Sequence, residues 1–203
     1  MKSDKDRLQA TPDERAARFG QSGLVVWYTG LSGAGKTTLA TFTERRLLDR
    51  GYPTFLLDGD VLRSGLCHDL GFSIADRHEN VRRAGVVAGW LAEAGLFCLV
   101  ALISPFRSGR AAARARVPAG RFVEVFVNAS LDVCEQRDTK GLYRRARAHE
   151  ISDFTGISSP YEPPDSPEVE VRSDLLTVEQ CGGLVLAAVE EKLRVRPSLF
   201  GPT

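Results

Sequence analysis

The feature that most constrains the fold is a glycine-rich turn between an apolar run and a helical segment. The run Leu24–Thr29 precedes Gly30, and residues 30–37 match the pattern G-x-x-x-x-G-K-[ST] without a mismatch. Glycines in such a turn let successive N–H groups face one anion, and the following helix adds the positive end of its dipole. A plain glycine turn needs no lysine before a threonine. The pattern therefore predicts a phosphate-binding loop.

Strand and helix patterns alternate along the rest of the chain. Short apolar runs predict four strands, at residues 24–29, 54–57, 97–103 and 122–128. Apolar side chains at helical spacing predict helices at residues 75–94 and 178–193. Two further helices are expected at residues 36–49, before Gly51, and at residues 131–137. This alternation predicts an α/β fold of three layers, as in P-loop nucleoside triphosphate hydrolases, with a mainly parallel sheet and helices on both faces. Ligands bind beyond the carboxyl ends of such strands, where Gly30, Asp58 and Ser104 are expected to converge.

Length and charge limit the classes of function. A chain of 203 residues suits one domain, expected at residues 21–197 between an N-terminal extension (1–20) and a C-terminal tail (198–203). The net charge of +1 argues against nucleic acid or a membrane surface as partner. The first twenty residues lack a signal-peptide pattern, so a cytoplasmic location is expected. The oligomeric state stays open, with a homodimer as one alternative.

Four cysteines are spread along the chain without a C-x-x-C spacing. This spacing argues against a zinc site and predicts buried, reduced thiols. The residues concerned are Cys67, Cys98, Cys134 and Cys181.

Two carboxylates, Asp58 and Asp60, follow the second predicted strand. Near bound phosphates such a pair can serve Mg²⁺ and accept a proton from a hydroxyl group. The alternative is a turn with exposed acidic side chains. Taken alone, this segment favours that alternative. The small size and the lack of an N-K-x-D segment favour a metabolite kinase over a GTPase or a motor ATPase.

A succession of further motifs resembles the adenylylsulfate kinase family from about Leu24 to Leu193. The motifs are D-G-D-V-L-R at 58–63, D-L-G-F at 69–72, D-R-H-E-N at 76–80, I-S-P-F-R at 103–107, K-G-L-Y at 140–143, F-T-G-I at 154–157 and S-P-Y-E at 159–162. The resemblance implies transfer of the γ-phosphate of MgATP to the 3′-hydroxyl of adenosine 5′-phosphosulfate (APS). ATP is then the co-substrate, Mg²⁺ the cofactor and APS the small-molecule partner.

The resemblance also implies a role for each matching residue. It implies an ATP site at Gly30, Leu31, Ser32, Gly33, Ala34, Gly35, Lys36, Thr37, Thr38 and Arg137. It implies catalytic groups at Lys36, Asp58, Asp60, Ser104 and Lys140, with Mg²⁺ on Thr37 and Asp60. It implies an acceptor site at Asp60, Arg63, Phe72, Arg77, Asn80, Ile103, Ser104, Lys140 and Phe154.

Within the acceptor site the implied roles differ. Arginine forks suit phosphate and sulfate oxygens, so Arg63 and Arg77, with Asn80, are expected to hold the phosphosulfate. Phe72 and Phe154 match the aromatic rings that enclose the adenine. Ser104 matches a serine described in the family as a phosphoserine intermediate, and a hydrogen bond to the substrate is the alternative.

Residues at about 137–167 are polar and are predicted to form a mobile lid that supplies Lys140 and excludes water. The chain departs from the family pattern at Val61, where asparagine is usual, and at Ser64 and Thr139. Val61 keeps open a kinase of the same fold for another nucleotide or small metabolite. A non-catalytic ATP-binding protein is the third alternative, which the intact set of Lys36, Thr37 and the two aspartates disfavours.

Overall fold

A wholly parallel sheet organises the chain in the computed structural model, which describes residues 10–194. The strand order is β2-β3-β1-β4-β5. The strands are β1 (Leu24–Thr29), β2 (Thr54–Asp58), β3 (Phe97–Ala101), β4 (Phe122–Asn128) and β5 (Val169–Arg172). The helices of the described residues are α1 (Pro12–Phe19), α2 (Lys36–Asp49), α3 (Gly59–Ser64), α4 (Ile74–Glu93), α5 (Arg107–Arg114), α6 (Leu131–Arg137), α7 (Leu142–Arg147) and α8 (Val178–Arg194).

The central strand β1 divides the core into two halves, because its side chains alternate between the faces of the sheet. Val26 and Tyr28 lie in one cluster with residues of α2 and α8. Val25 and Trp27 lie in the other, with residues of α4 and α5. All six residues of β1 are buried. The predicted three-layer α/β fold is thus confirmed.

The predicted elements are all present, with small changes at their ends. Helix α4 begins at Ile74 because the Ser73 hydroxyl accepts a hydrogen bond from the Asp76 N–H group (3.1 Å) and caps it. The third strand ends at Ala101, two residues before the predicted end. Ser104 has a φ of 40°, which a strand does not allow, so the chain leaves the sheet before it.

Five elements were not predicted: α1, α3, α5, α7 and β5. Helix α1 lies in the predicted N-terminal extension, and its capping box joins Thr11 to Glu14. Residues 1–9 of that extension and the predicted tail 198–203 lie outside the described residues. The four cysteines are buried and free, as expected. None of the helices within residues 10–194 is long and apolar enough to cross a membrane.

Candidate functional site

Hydrogen bonds from two threonines join the end of β1 to the segment after β3, and the start of α2 to the end of β2. Thr29 at the end of β1 donates from its hydroxyl to the carbonyl of Ile103 (2.8 Å). Thr37 at the start of α2 donates to Oδ2 of Asp58 at the end of β2 (2.7 Å). The predicted convergence of polar groups at this edge is confirmed.

The glycine-rich turn is held open by donors to four successive carbonyl groups. These bonds run from Lys36 Nζ to Leu31 O (2.7 Å), Tyr143 Oη to Ser32 O (2.9 Å), Arg137 Nη1 to Gly33 O (3.3 Å) and Ser173 Oγ to Ala34 O (2.7 Å). In a trans peptide the carbonyl and the next N–H point to opposite sides. The N–H groups of Ser32, Gly33 and Gly35 therefore point away from these donors.

Two glycines of the turn have backbone conformations that favour glycine. Gly33 has a φ of 75°, and a Cβ atom there would lie 2.8 Å from the carbonyl oxygen of Cys134. Gly35, with a φ of 93°, precedes α2, and a Cβ atom there would meet nothing within 4 Å. Thr37 and Thr38 are exposed in the first turn of α2. The turn thus forms a cradle with an open side at the positive end of a helix.

The ammonium group of Lys36 is buried beneath this cradle. Burial lowers the pKa of Lys36 to about 8, and the positive charge of Lys140 acts in the same direction. The neighbouring Cys134 thiol and the Asp58 carboxylate oppose the shift in part. A bound polyphosphate would supply the negative charge that this site lacks.

The Asp58 carboxylate caps α3, which explains why the segment is not a plain turn. Its Oδ1 atom accepts a hydrogen bond from the N–H of Asp60 (2.9 Å), while Oδ2 binds Thr37. The Asp60 carboxylate is exposed and forms an ion pair with Lys140. Hydroxyl and carboxylate oxygens are the ligands that Mg²⁺ prefers, so this set fits the predicted cation.

Two arginines, one on α3 and one on α4, lie against one aromatic ring. The guanidinium carbon of Arg63 lies 4.2 Å from the ring centroid of Phe72, and that of Arg77 lies 5.8 Å away. Burial lowers the pKa of both guanidinium groups, and the charge of Arg63 further lowers that of Arg77. An anion between these two cations would relieve both effects.

Arg77 also joins the Phe72 loop to the segment before Phe154. Its Nε atom donates to the carbonyl of Phe72 (2.9 Å), and its Nη2 atom donates to the carbonyl of Asp153 (2.5 Å). Phe72 is 53% exposed, whereas Phe154 is buried, with the Tyr143 ring edge-on at 5.0 Å. Asn80 is buried one turn beyond Arg77 on α4. The predicted acceptor residues on these segments therefore lie close together.

The Ser104 side chain is buried and engaged within the protein. Its Oγ atom accepts a hydrogen bond from Trp27 Nε1 (3.0 Å) and donates a longer one to the carbonyl of Leu102 (3.4 Å). Ile103, before it, is half-buried. The structure thus places Ser104 at the expected edge, with its hydroxyl directed at an indole.

The predicted lid contains α7, so it is not a plain loop. Tyr143 and Ala146 of this helix belong to the hydrophobic core. Asp138 begins the helix by accepting hydrogen bonds from the N–H groups of Tyr143 (3.1 Å) and Arg144 (3.0 Å). The Tyr143 hydroxyl donates to the carbonyl of Ser32, and this bond holds part of the segment against the phosphate loop. Mobility of the remainder stays a prediction.

Sequence reasoning missed two residues that support the site. Tyr143 contacts both the phosphate loop and Phe154, and Ser173 binds the loop from the end of β5. The K-G-L-Y motif contained a signal for Tyr143. No local pattern singles out Ser173, because its role depends on the position of β5. Val61, the main departure from the family pattern, is 67% exposed beside Asp60.

The chain is similar to proteins of known name. The family model described as adenylylsulphate kinase matches residues 22–172. An adenylyl-sulfate kinase of Marinobacter nauticus is 50% identical over 184 residues, which are 91% of this chain and 92% of that protein. One from Shewanella sp. (strain MR-7) is 58% identical over 158 residues, 78% of this chain and 77% of that protein.

Solved structures show the same relationship. The APS kinase of Mycobacterium tuberculosis, solved in complex with AMPPNP and APS, has a TM-score of 0.80 at 46% identity, covering 84% of this chain and 99% of that one. A gluconokinase from Sinorhizobium meliloti, at 17% identity with a TM-score of 0.55, shares the fold. With its phosphate loop intact and its family model matched over most of its length, the chain belongs to the adenylylsulfate kinase family.

Proposed function

We propose that the chain transfers the γ-phosphate of MgATP to the 3′-hydroxyl of APS. The observation that carries this proposal is the pair of guanidinium groups, Arg63 and Arg77, on the Phe72 ring at the edge that also holds the phosphate loop. One site suits a triphosphate donor, and the other suits an acceptor with a flat base and an anionic group. The names of the relatives, and the APS bound in the neighbouring structure, support the same acceptor.

We assign the donor site to the phosphate loop and its supports. The N–H groups of the phosphate loop bind the β- and γ-phosphates, and the ammonium group of Lys36 neutralises their charge. Thr37 and Asp60 would hold Mg²⁺, with Asp58 orienting the Thr37 hydroxyl. When bound, Mg²⁺ neutralises negative charge on the phosphate oxygens. Arg137, next to Gly33, lies where it can contact the nucleotide.

We assign the acceptor site to the segments around α3 and α4. Arg63, Arg77 and Asn80 bind the phosphosulfate, and Phe72 with Phe154 encloses the adenine. For the adenine to enter between these rings, Phe154 must move out of part of the packing that buries it. The Asp60 carboxylate accepts the proton of the 3′-hydroxyl once Lys140 turns from Asp60 to the transferred phosphate.

We propose direct transfer rather than a phosphoserine intermediate. The Ser104 hydroxyl is buried and accepts a hydrogen bond from Trp27. To act as a nucleophile it would have to break this bond and leave its buried position to reach the phosphate. A hydrogen bond to the acceptor from the turn at residues 103–104, which includes Ile103, needs no such movement.

The test is the rate of ADP release with a panel of acceptors. APS, AMP, other nucleotides and water are compared at matched concentration, with Lys36→Ala as the inactive control. We expect APS to give the highest kcat/KM and water a negligible rate. A better acceptor than APS would support the alternative, a kinase of this fold for another nucleotide or metabolite, which the exposed Val61 beside Asp60 keeps open.

The remaining assignments are proposals with tests of their own. Light scattering decides whether the chain is a homodimer. The cytoplasmic location and the kinase domain at residues 21–197, with a lid at 137–167, also stay predictions. Limited proteolysis with and without nucleotide would show whether that lid closes.

A further inference from the structure

A buried arginine outside the predicted site holds two of its segments together. Arg110 on α5 is 2% exposed. Its three nitrogen atoms donate to three different parts of the chain. The bonds run from Nε to Glu124 Oε1 (2.7 Å), from Nη1 to Ser104 O (2.7 Å) and from Nη2 to Glu162 O (2.8 Å). The whole fork is therefore used, which a lysine with its single nitrogen could not reproduce.

The charge of Arg110 is balanced from the sheet. Glu124 on β4 is also buried and faces Arg110, and Arg114 lies 3.4 Å from its other carboxylate oxygen. Arg114 is bound by Glu168 through two further hydrogen bonds of 2.7 Å. Removing both charges from water costs free energy, and apolar residues of similar volume are often no less stabilising than a buried ion pair, so stability alone does not explain this pair.

One of the segments that Arg110 joins carries the predicted acceptor residues 103–104, and the other packs against it. Ser104 has a φ of 40°, and the bond to its carbonyl restrains this uncommon conformation. Glu162 donates from its N–H group to the carbonyl of Pro105 (2.8 Å). Tyr161, before it, has its Oη atom 3.0 Å from the Thr29 hydroxyl. Arg110 thus holds the turn after β3 against residues 161–162.

We propose that Arg110 is a positioning residue for the acceptor nucleotide. It fixes where residues 103–104 meet the acceptor, by holding the Ser104 carbonyl and the Glu162 carbonyl on one guanidinium group. This proposal rests on the proposed function, because the acceptor is the one that residues 103–104 are assigned to contact. The proposed role of Arg110 affects the affinity for the acceptor and does not involve the phosphate loop.

The test variant is Arg110→Lys, and the matched control is Arg114→Lys. Arg114 lies one turn along the same helix, in the same ion-pair network, but its hydrogen bonds reach Glu168 and Glu124, not Ser104 or Glu162. We expect both variants to lower Tm. We expect only Arg110→Lys to raise the KM for APS, by tenfold or more, with the KM for ATP within threefold of the parent.

A second measurement reports on Ser104 without turnover. The chain has two tryptophans, and Trp90 is 65% exposed on α4, so Trp90→Phe leaves Trp27 as the only indole. The Trp27 indole is bonded to Ser104 Oγ. We expect Arg110→Lys in this background to shift the Trp27 emission to longer wavelength. Arg114→Lys should shift it by less, because Arg114 reaches Trp27 only through the Phe122 ring that lies between them.

The outcomes separate this proposal from the proposed function. A parent protein that does not phosphorylate APS refutes the function, while the Trp27 emission still tests whether Arg110 holds Ser104. The positioning role is refuted if Arg110→Lys and Arg114→Lys change the KM for APS and the Trp27 emission equally. It is also refuted if Arg110→Lys changes neither quantity. Should Arg110→Lys not fold, Glu124→Gln, which weakens the hold on Arg110, is expected to raise the KM for APS in the same way, and an unchanged KM there refutes the proposal.

Discussion

Binding of ATP should depend on pH through one buried lysine. Burial lowers the pKa of Lys36 to about 8 in the empty protein, from a usual value of 10.5. Phosphates next to the ammonium group would raise this pKa again, since an opposite charge favours the charged form. The terminal phosphate titrates near pH 6 and is ionised throughout the range concerned. ATP binding is therefore expected to take up a proton above pH 8.

The magnitude follows from that pKa. Below pH 8 the lysine is already charged, so the Kd for ATP should be flat. Above pH 8 the Kd should rise by about tenfold per pH unit, or about 1.4 kcal/mol per unit. The free energy of unfolding of the nucleotide-free protein should instead rise with pH, so the protein becomes more stable as its affinity for ATP falls. Because the folded pKa lies below the unfolded one, a cost of about 3 kcal/mol is present below pH 8 and disappears as the pH rises to about 10.5.

Calorimetry in buffers of different ionisation enthalpy measures both the Kd and the proton uptake. Wild type at pH 7 and pH 9 should differ by about tenfold in Kd, with most of one proton taken up at pH 9. Lys36→Met, which cannot titrate, should bind weakly with no such slope. A Kd that stays flat to pH 9.5 in the wild type, or an equal slope in Lys36→Met, would show that Lys36 is not the titrating group.

Four substitutions test the other assignments. Asp60→Asn should lower kcat by a hundredfold or more with little change in the Kd for ATP, and a loss of less than about tenfold (1.4 kcal/mol) would remove Asp60 from the reaction. Ser104→Ala should keep measurable activity without a trapped phosphoserine; an inert variant together with a phosphorylated wild-type Ser104 would support the two-step route. Arg77→Ala should narrow the preference for APS over AMP, because charge-assisted hydrogen bonds of about 1.5–3 kcal/mol each are lost, and an unchanged ratio of kcat/KM would contradict its role. Tyr143→Phe removes one hydrogen bond to Ser32 and should raise the KM for ATP by about threefold to thirtyfold, while a change confined to the KM for APS would place its effect at Phe154 instead.

The elements that could be predicted from the sequence are those with regular apolar patterns. The central strands, α4 and α8 carry such patterns, whereas the phosphate loop is located by its glycine motif. Helix α5 carries no such pattern, because its buried positions are Arg110 and Ala113 and a buried charge does not register as apolar. Strand β5 has four residues, of which Val171 is fully buried, too short a run to show a period.

The site was predicted as a set of residues but not as a set of contacts. Motif matches locate Lys36, Asp60 and Arg77 because each type suits its chemistry. They do not show that Lys140 pairs with Asp60, or that Arg77 binds the carbonyl of Asp153. Such contacts join residues about eighty positions apart, and only the packing of the sheet decides them.

The donors to the four carbonyls of the phosphate loop come from residues 36, 137, 143 and 173. Lys36 belongs to the motif itself, so a nascent chain leaving the ribosome from its N-terminus carries the complete glycine motif long before it has the other three groups that shape it. Residue 173 must emerge, and β5 must join the sheet, before the last of these bonds can form. The full support of the phosphate loop is thus available only late in synthesis, and a chain stopped after α6 would present the motif without its support from Tyr143 and Ser173.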